Sequence, residues 1–256
     1  MGIDYRPLEG GIHEIVINRP ERMNALDVPA KRELGRIWRD AAQDPSVSVL
    51  VLRGAGEKAF CAGSDIKEMQ ATGTIVDTRT LMDDTRTLMD AIPGIGVELH
   101  KPVVAALHGF TIGMGLTLAI HADFRIAAET GKLGFPEVQH GMLSGVSAVT
   151  LPGLVGEPRA LDLMLTARLI EPREALRIGL VDEVVPDSVA AAMALARRIA
   201  SNSAAAVAQT KRLILLERRR RARDHAAAID DARLAILESK EFGDVVAHKP
   251  GAGRIR

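Results

Sequence analysis

The segment Ser46 to Arg53 reads SVSVLVLR. It is short, rich in β-branched residues and bounded by Gly54, and so reads as a strand. Two further runs are of the same kind, PVVAAL (Pro102 to Leu107) and a shorter one at Phe124 to Ala127, and GIHEIVIN (Gly11 to Asn18) precedes them, ended by Arg19-Pro20. Apolar stretches of helical spacing follow several of these runs. After the first, Asp27 is placed to cap a helix with Pro29 in its first turn, and Leu34, Ile37, Trp38 and Ala41 then recur on one side. Strands alternating with helices predict an α/β fold built from repeated β-β-α units.

Composition sharpens this. Aromatic residues are only 3% of the 256-residue chain, so the core must be made by close approach of Ala, Val, Ile, Leu and Met. Lys+Arg (33) equal Asp+Glu (33), so no global field points toward nucleic acid or an anionic membrane. Cys61 is the single cysteine, which excludes an intrachain disulfide. No apolar run reaches the roughly 18 residues of a membrane span, and the first ten residues are not those of a secretion signal. The expected location is therefore cytoplasmic. No His, Cys and acidic residues fall at metal-ligand spacing, so no metal site is expected.

Three segments carry chemistry. In AFCAGSDIKEM (Ala59 to Met69), Ala62, Gly63 and Ser64 are small enough for close backbone approach, and Asp65 suits the cap of a following helix. In HGFTIGMGLTL (His108 to Leu118), Gly113 and Gly115 flank Met114 at the start of an apolar helix, where free N–H donors gather. In LGFPEVQHGMLSG (Leu133 to Gly145), Glu137 lies among Leu133, Phe135, Pro136 and Val138, which disfavours its charged form and lifts its pKa toward that of a general base. Each has an ordinary structural reading: a strand-to-helix turn, tight helix packing, and a glutamate at a helix start. Together they form a constellation for enolate chemistry, two sets of backbone donors for a thioester oxygen and a carboxylate for the α-proton.

The blocks INRPERMNAL, VLRGAGEKAFCAGSDIKEM, KPVVAALHGFTIGMG, FPEVQHG, LTARLIEPREALRIGLVDEVVP and IASNSAAAVAQTK, in this order and spacing, resemble the crotonase (enoyl-CoA hydratase/isomerase) family over nearly the whole chain. The resemblance implies a crotonase-type spiral of β-β-α turns over residues 1–200. It also implies a C-terminal helical region, 201–256, that mediates trimerisation, often with two trimers stacked. It implies a CoA thioester as substrate, with no permanently bound cofactor. Matched by position, the oxyanion donors fall on the N–H groups of Ser64 and Met114, and the base on Glu137. Ala62 falls where the backbone meets adenine, Ala25 and Leu26 in the loop lining the CoA site, and Asp65 and Lys67 at the CoA-binding turn.

Two positions depart from the family pattern. The first of the two glutamates that hydratases use falls on Thr117, which is no general base, and Met114 replaces a small residue, its side chain directed to the acyl pocket. A single-base enzyme follows, an enoyl-CoA isomerase or hydratase-like enzyme. The alternatives are a hydro-lyase in which Thr117, water or His140 substitutes for the missing glutamate, and an RNA-binding homologue using the basic run Lys211 to Arg223. That run lacks aromatics for base stacking, so nucleic acid is the weaker reading. Finally, DTRTLMD occurs twice, at 77–83 and 84–90. Its apolar residues share one helix face and are read as packing on the body rather than as a flap over the acyl group.

Overall fold

The computed structural model describes residues 2–65 and 86–242. Seven strands form one sheet: β1 (Ile3–Pro7), β2 (Ile12–Ile17), β3 (Val49–Gly54), β4 (Ala59–Cys61), β5 (Val103–Ile112), β6 (Phe124–Gly134) and β7 (Glu183–Val185). They run in the order β1-β2-β3-β5-β6-β7, with β4 paired to the far half of β5. Only the β1–β2 pair is antiparallel; every other pair is parallel. The α/β expectation therefore holds.

The apolar stretch Val49 to Leu52 of β3 is buried on both faces. Leu50 and Leu52 join a large core with Ile15, Ile17, Trp38 and Phe60. Val49 and Val51 point the other way, into a smaller cluster with Val104, Ala106 and Ile126, closed by Ala192 and Ala196. Helix α1 (Val28–Gln43) begins as predicted: the Asp27 side chain accepts from the Ala30 N–H at 2.8 Å and Pro29 sits in the first turn. Leu34, Ile37, Trp38 and Ala41 are fully buried, and the Trp38 indole N–H donates to Ala91 O.

Two strands are longer than their sequence suggests. β5 does not stop at Leu107 but continues through His108 and Gly109 to Ile112, and β6 runs on from Ala127 to Gly134. The pairing skips a step between Leu107 and Gly109, then resumes with Gly109 opposite Gly131 and Ile112 opposite Gly134. The polar and glycine residues that look like a loop are thus a second stretch of ladder, with β4 on its other side.

Helix α2 (Met114–His121) follows β5 directly and is buried on every side. Helix α3 (Gly145–Thr150), three short helices between 152 and 177, and helix α4 (Ser188–Ala200) come next. Helices α5 (Ala204–Ile214), α6 (Leu216–Asp224) and α7 (Ala226–Leu237) close the described chain. Three of their basic residues turn inward. Lys211 Nζ meets Asp123 Oδ2 at 2.6 Å and Lys101 O at 2.7 Å. Arg218 donates to the carbonyls of Ile120 and His121 at the end of α2, and Arg219 to Leu99 O and Glu98. A helix end with unpaired carbonyls favours a cation there. The run that sequence reading weighed as a nucleic-acid surface therefore spends three of its cations within the fold.

Of the duplicated heptapeptide, 77–85 lies outside the described residues. In the second copy, Leu88 and Met89 pack on the large core, in line with the packing role. Among the described residues no helix is long and apolar enough to cross a membrane.

Candidate active site

The site is assembled where β4, β5 and β6 end together. After Cys61 the chain turns along the loop 23–26: Ala62 N donates to Met23 O at 3.0 Å, Leu26 N to Gly63 O at 2.8 Å, and Asp65 N to Leu26 O at 2.9 Å. These bonds bring Ala25 and Leu26 against Ala62 and Ser64, with Leu26 fully buried as the floor. Arg19 clamps the same loop, donating to Ala25 O and pairing with both Asp27 (3.0 Å) and Asp65 (3.2 Å). Asp65 was expected to cap a helix; any helix beyond it, and Lys67, lie outside the described residues.

The Ser64 N–H takes no part in this ladder, and among the described residues it donates to no backbone carbonyl. Gly63 precedes it at φ +104°, a conformation glycine adopts freely. A Cβ on Gly63 would lie 3.7 Å from the Met114 nitrogen, so the two predicted donors are neighbours in space. Met114 is the first residue of α2, where an N–H has no acceptor within the helix. The preceding Gly113, at φ +54°, is anchored by its own N–H to Gly134 O at 3.0 Å. The Met114 side chain is 7% exposed and packs among the residues of the large core.

Glu137 enters from the third element. β6 ends at Gly134, Phe135 is buried, and Glu137 opens a single 3-10 turn, Glu137–His140. A Cβ on Gly113 would stand 3.1 Å from Glu137 Oε1, so the carboxyl leans on the residue preceding Met114. Burial pushes its pKa up to about 7, while hydrogen bonding from its own N–H and from the Ser144 hydroxyl pulls the other way. Its Oε2 is buried and makes no hydrogen bond. The turn at Gly63-Ser64, the start of α2 and the Glu137 carboxyl are thus neighbours in the fold.

The remaining predicted residues are distributed around it. Thr117 is buried one turn into α2, with Oγ1 bonded to Gly113 O (3.1 Å) and 2.8 Å from Ser147 Oγ. His140 closes the 3-10 turn and is half-buried. Sequence reading missed Ser144 and Ser147, because nothing local marks serines 27 and 30 residues from Thr117 as its partners. No group of three or more metal-ligating side chains is present among the described residues. A separate groove of about 500 Å³, lined by Arg6, Glu14, Arg53 and Met193, shares none of these residues.

Comparison with known proteins identifies the family. Residues 8–240 match the family model for enoyl-CoA hydratase/isomerase. The chain is 36% identical over 205 residues to the (E)-benzylidenesuccinyl-CoA hydratase of Thauera aromatica, covering 79% of this chain and 78% of that one. It is 37% identical over 211 residues to the short-chain-enoyl-CoA hydratase of Clostridium acetobutylicum, covering 80% and 78%. Among solved structures, an enoyl-CoA hydratase/isomerase from Mycobacterium paratuberculosis superposes with a TM-score of 0.88 at 28% identity, over 96% of this chain and 97% of that one. The chain belongs to the enoyl-CoA hydratase/isomerase family of enzymes, the crotonase superfamily, which act on CoA thioesters.

Proposed function

We propose that this enzyme moves a double bond in a CoA-bound acyl chain, with Glu137 as its single base. The thioester oxygen sits between the N–H groups of Ser64 and Met114. Glu137 takes the proton from the α carbon, the resulting enolate oxygen is held by the two donors, and the same carboxyl returns the proton at the γ carbon. Donors aimed at charge that appears only during reaction lower the barrier, each by roughly 3 kcal/mol. The observation that carries the reading is the Glu137 carboxyl, buried against Gly113 beside the free amide of Met114, with a pKa of about 7. Such a group both accepts and releases a proton at neutral pH.

In this reading CoA is part of the substrate and no resident cofactor is needed. Ala25, Leu26, Ala62 and Lys67 bind it, with Arg19 and Asp65 bracing the loop. Residues 1–200 form the catalytic unit and 201–256 the oligomerising one. The exposed Leu213, Ile214 and Leu216 suit contact between copies, as a homotrimer or a dimer of trimers. A cytoplasmic location goes with the free, buried thiol of Cys61.

Hydration is the second reading, favoured by the names of the two relatives. It needs a hydroxyl or a held water where Thr117 stands. A panel of 2-enoyl- and 3-enoyl-CoAs in ¹⁸O-labelled water, followed by mass spectrometry, separates the two. A shifted double bond without label supports isomerisation, and label at C3 supports hydration. Full turnover by Glu137→Gln on every active substrate would sink both.

A further inference from the structure

Asn24 is fully buried inside the loop that lies along Ala62 to Asp65. Its Oδ1 accepts from the Arg19 N–H at 3.0 Å, and its Nδ2 donates to Ala55 O at 2.9 Å and to Ala59 O at 2.7 Å. Both hydrogens of the amide are thus used, one on the turn after β3 and one at the start of β4. A Cβ on Gly54 would stand 2.8 Å from this Nδ2, so the end of β3 is bare where the amide enters. Met23 and Asn24 are both left-handed, at φ +51° and +57°. Residues with side chains adopt that form rarely, and their surroundings must hold them in it. Here the three bonds of Asn24 do so, with its own N–H donating to Arg19 O at 2.9 Å.

The shape of this loop fixes the direction of one amide. Leu26 and Ser64 are paired as residues of neighbouring parallel strands are. Gly63 O and Asp65 N, the groups on either side of Ser64, are both bonded to Leu26. In such a pair the flanking peptide groups face the partner, and the residue's own N–H faces the other way. The bonds that hold the loop therefore turn the Ser64 N–H away from it. All of them are backbone bonds, so nothing in the Ser64 side chain sets their register; the shape of the loop does. We propose that Asn24 is a positioning residue that keeps residues 23–26 in the form that grips 62–65 and so aims the Ser64 N–H at the thioester oxygen. Arg19 completes the brace from outside, through Ala25 O, Asp27 and Asp65. The proposal rests on the Ser64 N–H being an oxyanion donor.

The sequence makes this amide directly observable. Gly63-Ser64 is the only Gly-Ser pair in the chain. Enzyme made with carbonyl-¹³C glycine and ¹⁵N serine therefore shows a single carbonyl-coupled amide signal in NMR, that of Ser64. In the wild type, butyryl-CoA should move this proton signal further downfield than CoA alone does, because only the thioester brings a carbonyl acceptor. Asn24→Gly leaves the left-handed backbone accessible and removes the side-chain amide. The extra displacement should then be lost, and kcat on any acyl-CoA that the enzyme turns over should fall roughly a hundred-fold. Arg19→Lys, whose one ammonium cannot replace a planar fork, should change both in the same direction by less, and decides the matter if Asn24→Gly does not fold. A variant that is merely less stable keeps the wild-type displacement below its melting temperature. Full displacement in the folded variants thus overturns the proposal and leaves Ser64 a donor. If butyryl-CoA moves the wild-type signal no further than CoA does, the donor reading itself falls and the proposal falls with it.

Discussion

The burial of the Glu137 carboxyl costs stability once it is charged, with a definite dependence on pH. Its folded pKa, about 7, is above the ordinary carboxylate value of 4.5, because burial disfavours the charge. Between these two values the folded protein binds more protons than the unfolded chain, so this residue's contribution falls as pH rises through the window. Glu137→Gln, which cannot ionise, should stabilise the enzyme at pH 8 by roughly 1 to 3 kcal/mol, with the gain gone below pH 4.5. Denaturation at the two pH values measures it, and a destabilised variant at pH 8 would contradict the burial argument. The same substitution should lower kcat by roughly two to four orders of magnitude. In the wild type, kcat/KM should climb as pH rises through about 7, because a base must be ionised to act.

At the scale of the element, the decisive object is helix α2. Its first amide is useful only while its start is pressed against β4. A Cβ on Gly115 would fall 2.2 Å from Cys61 O, so backbone meets backbone there with no side chain between. By helix propensity alone, Gly115→Ala should stabilise by about 1 kcal/mol. The contact reverses the sign, since neither the strand nor the helix can give way without losing its own bonds. A net loss of roughly 1 to 3 kcal/mol is expected. Activity should fall with it, because relief of the clash moves the Met114 amide away from Ser64. Thermal unfolding and kcat/KM on the same preparation check both parts, and a stabilised, fully active variant would disprove the contact.

At the scale of the whole molecule, the C-terminal helices are held to the sheet by ions out of water. Lys211 and Asp123 are each nearly buried, and Asp123 also accepts from the Val103 N–H at 2.7 Å, at the start of β5. Asp123→Ala leaves the ammonium of Lys211 with one neutral acceptor, Lys101 O, and should cost roughly 3 kcal/mol or more. Lys211→Met should cost less, since Asp123 keeps its backbone donor. Limited proteolysis should then cut between α4 and α5 in Asp123→Ala well before it does so in Lys211→Met. Equal losses in the two would mean that the pair is not what docks these helices.

What the sequence alone determined is local. Strand β3 is written in its short β-branched run before Gly54, the cap of α1 in Asp27 and Pro29, and the candidate site residues in glycine turns and a carboxylate among apolar neighbours. These patterns are legible because strand alternation, capping and glycine turns act over a few residues. Tertiary structure decided the rest. β5 and β6 extend past Leu107 and Ala127 because distant strands supply pairs for backbone that looks like loop. Arg218 of α6 is claimed by carbonyls about a hundred residues earlier in the chain. Ser144 gives up its cap for a threonine 27 residues away. In each case the partner is brought by the fold, and burial, which raises the energy of any unpaired polar group, selects the pairing.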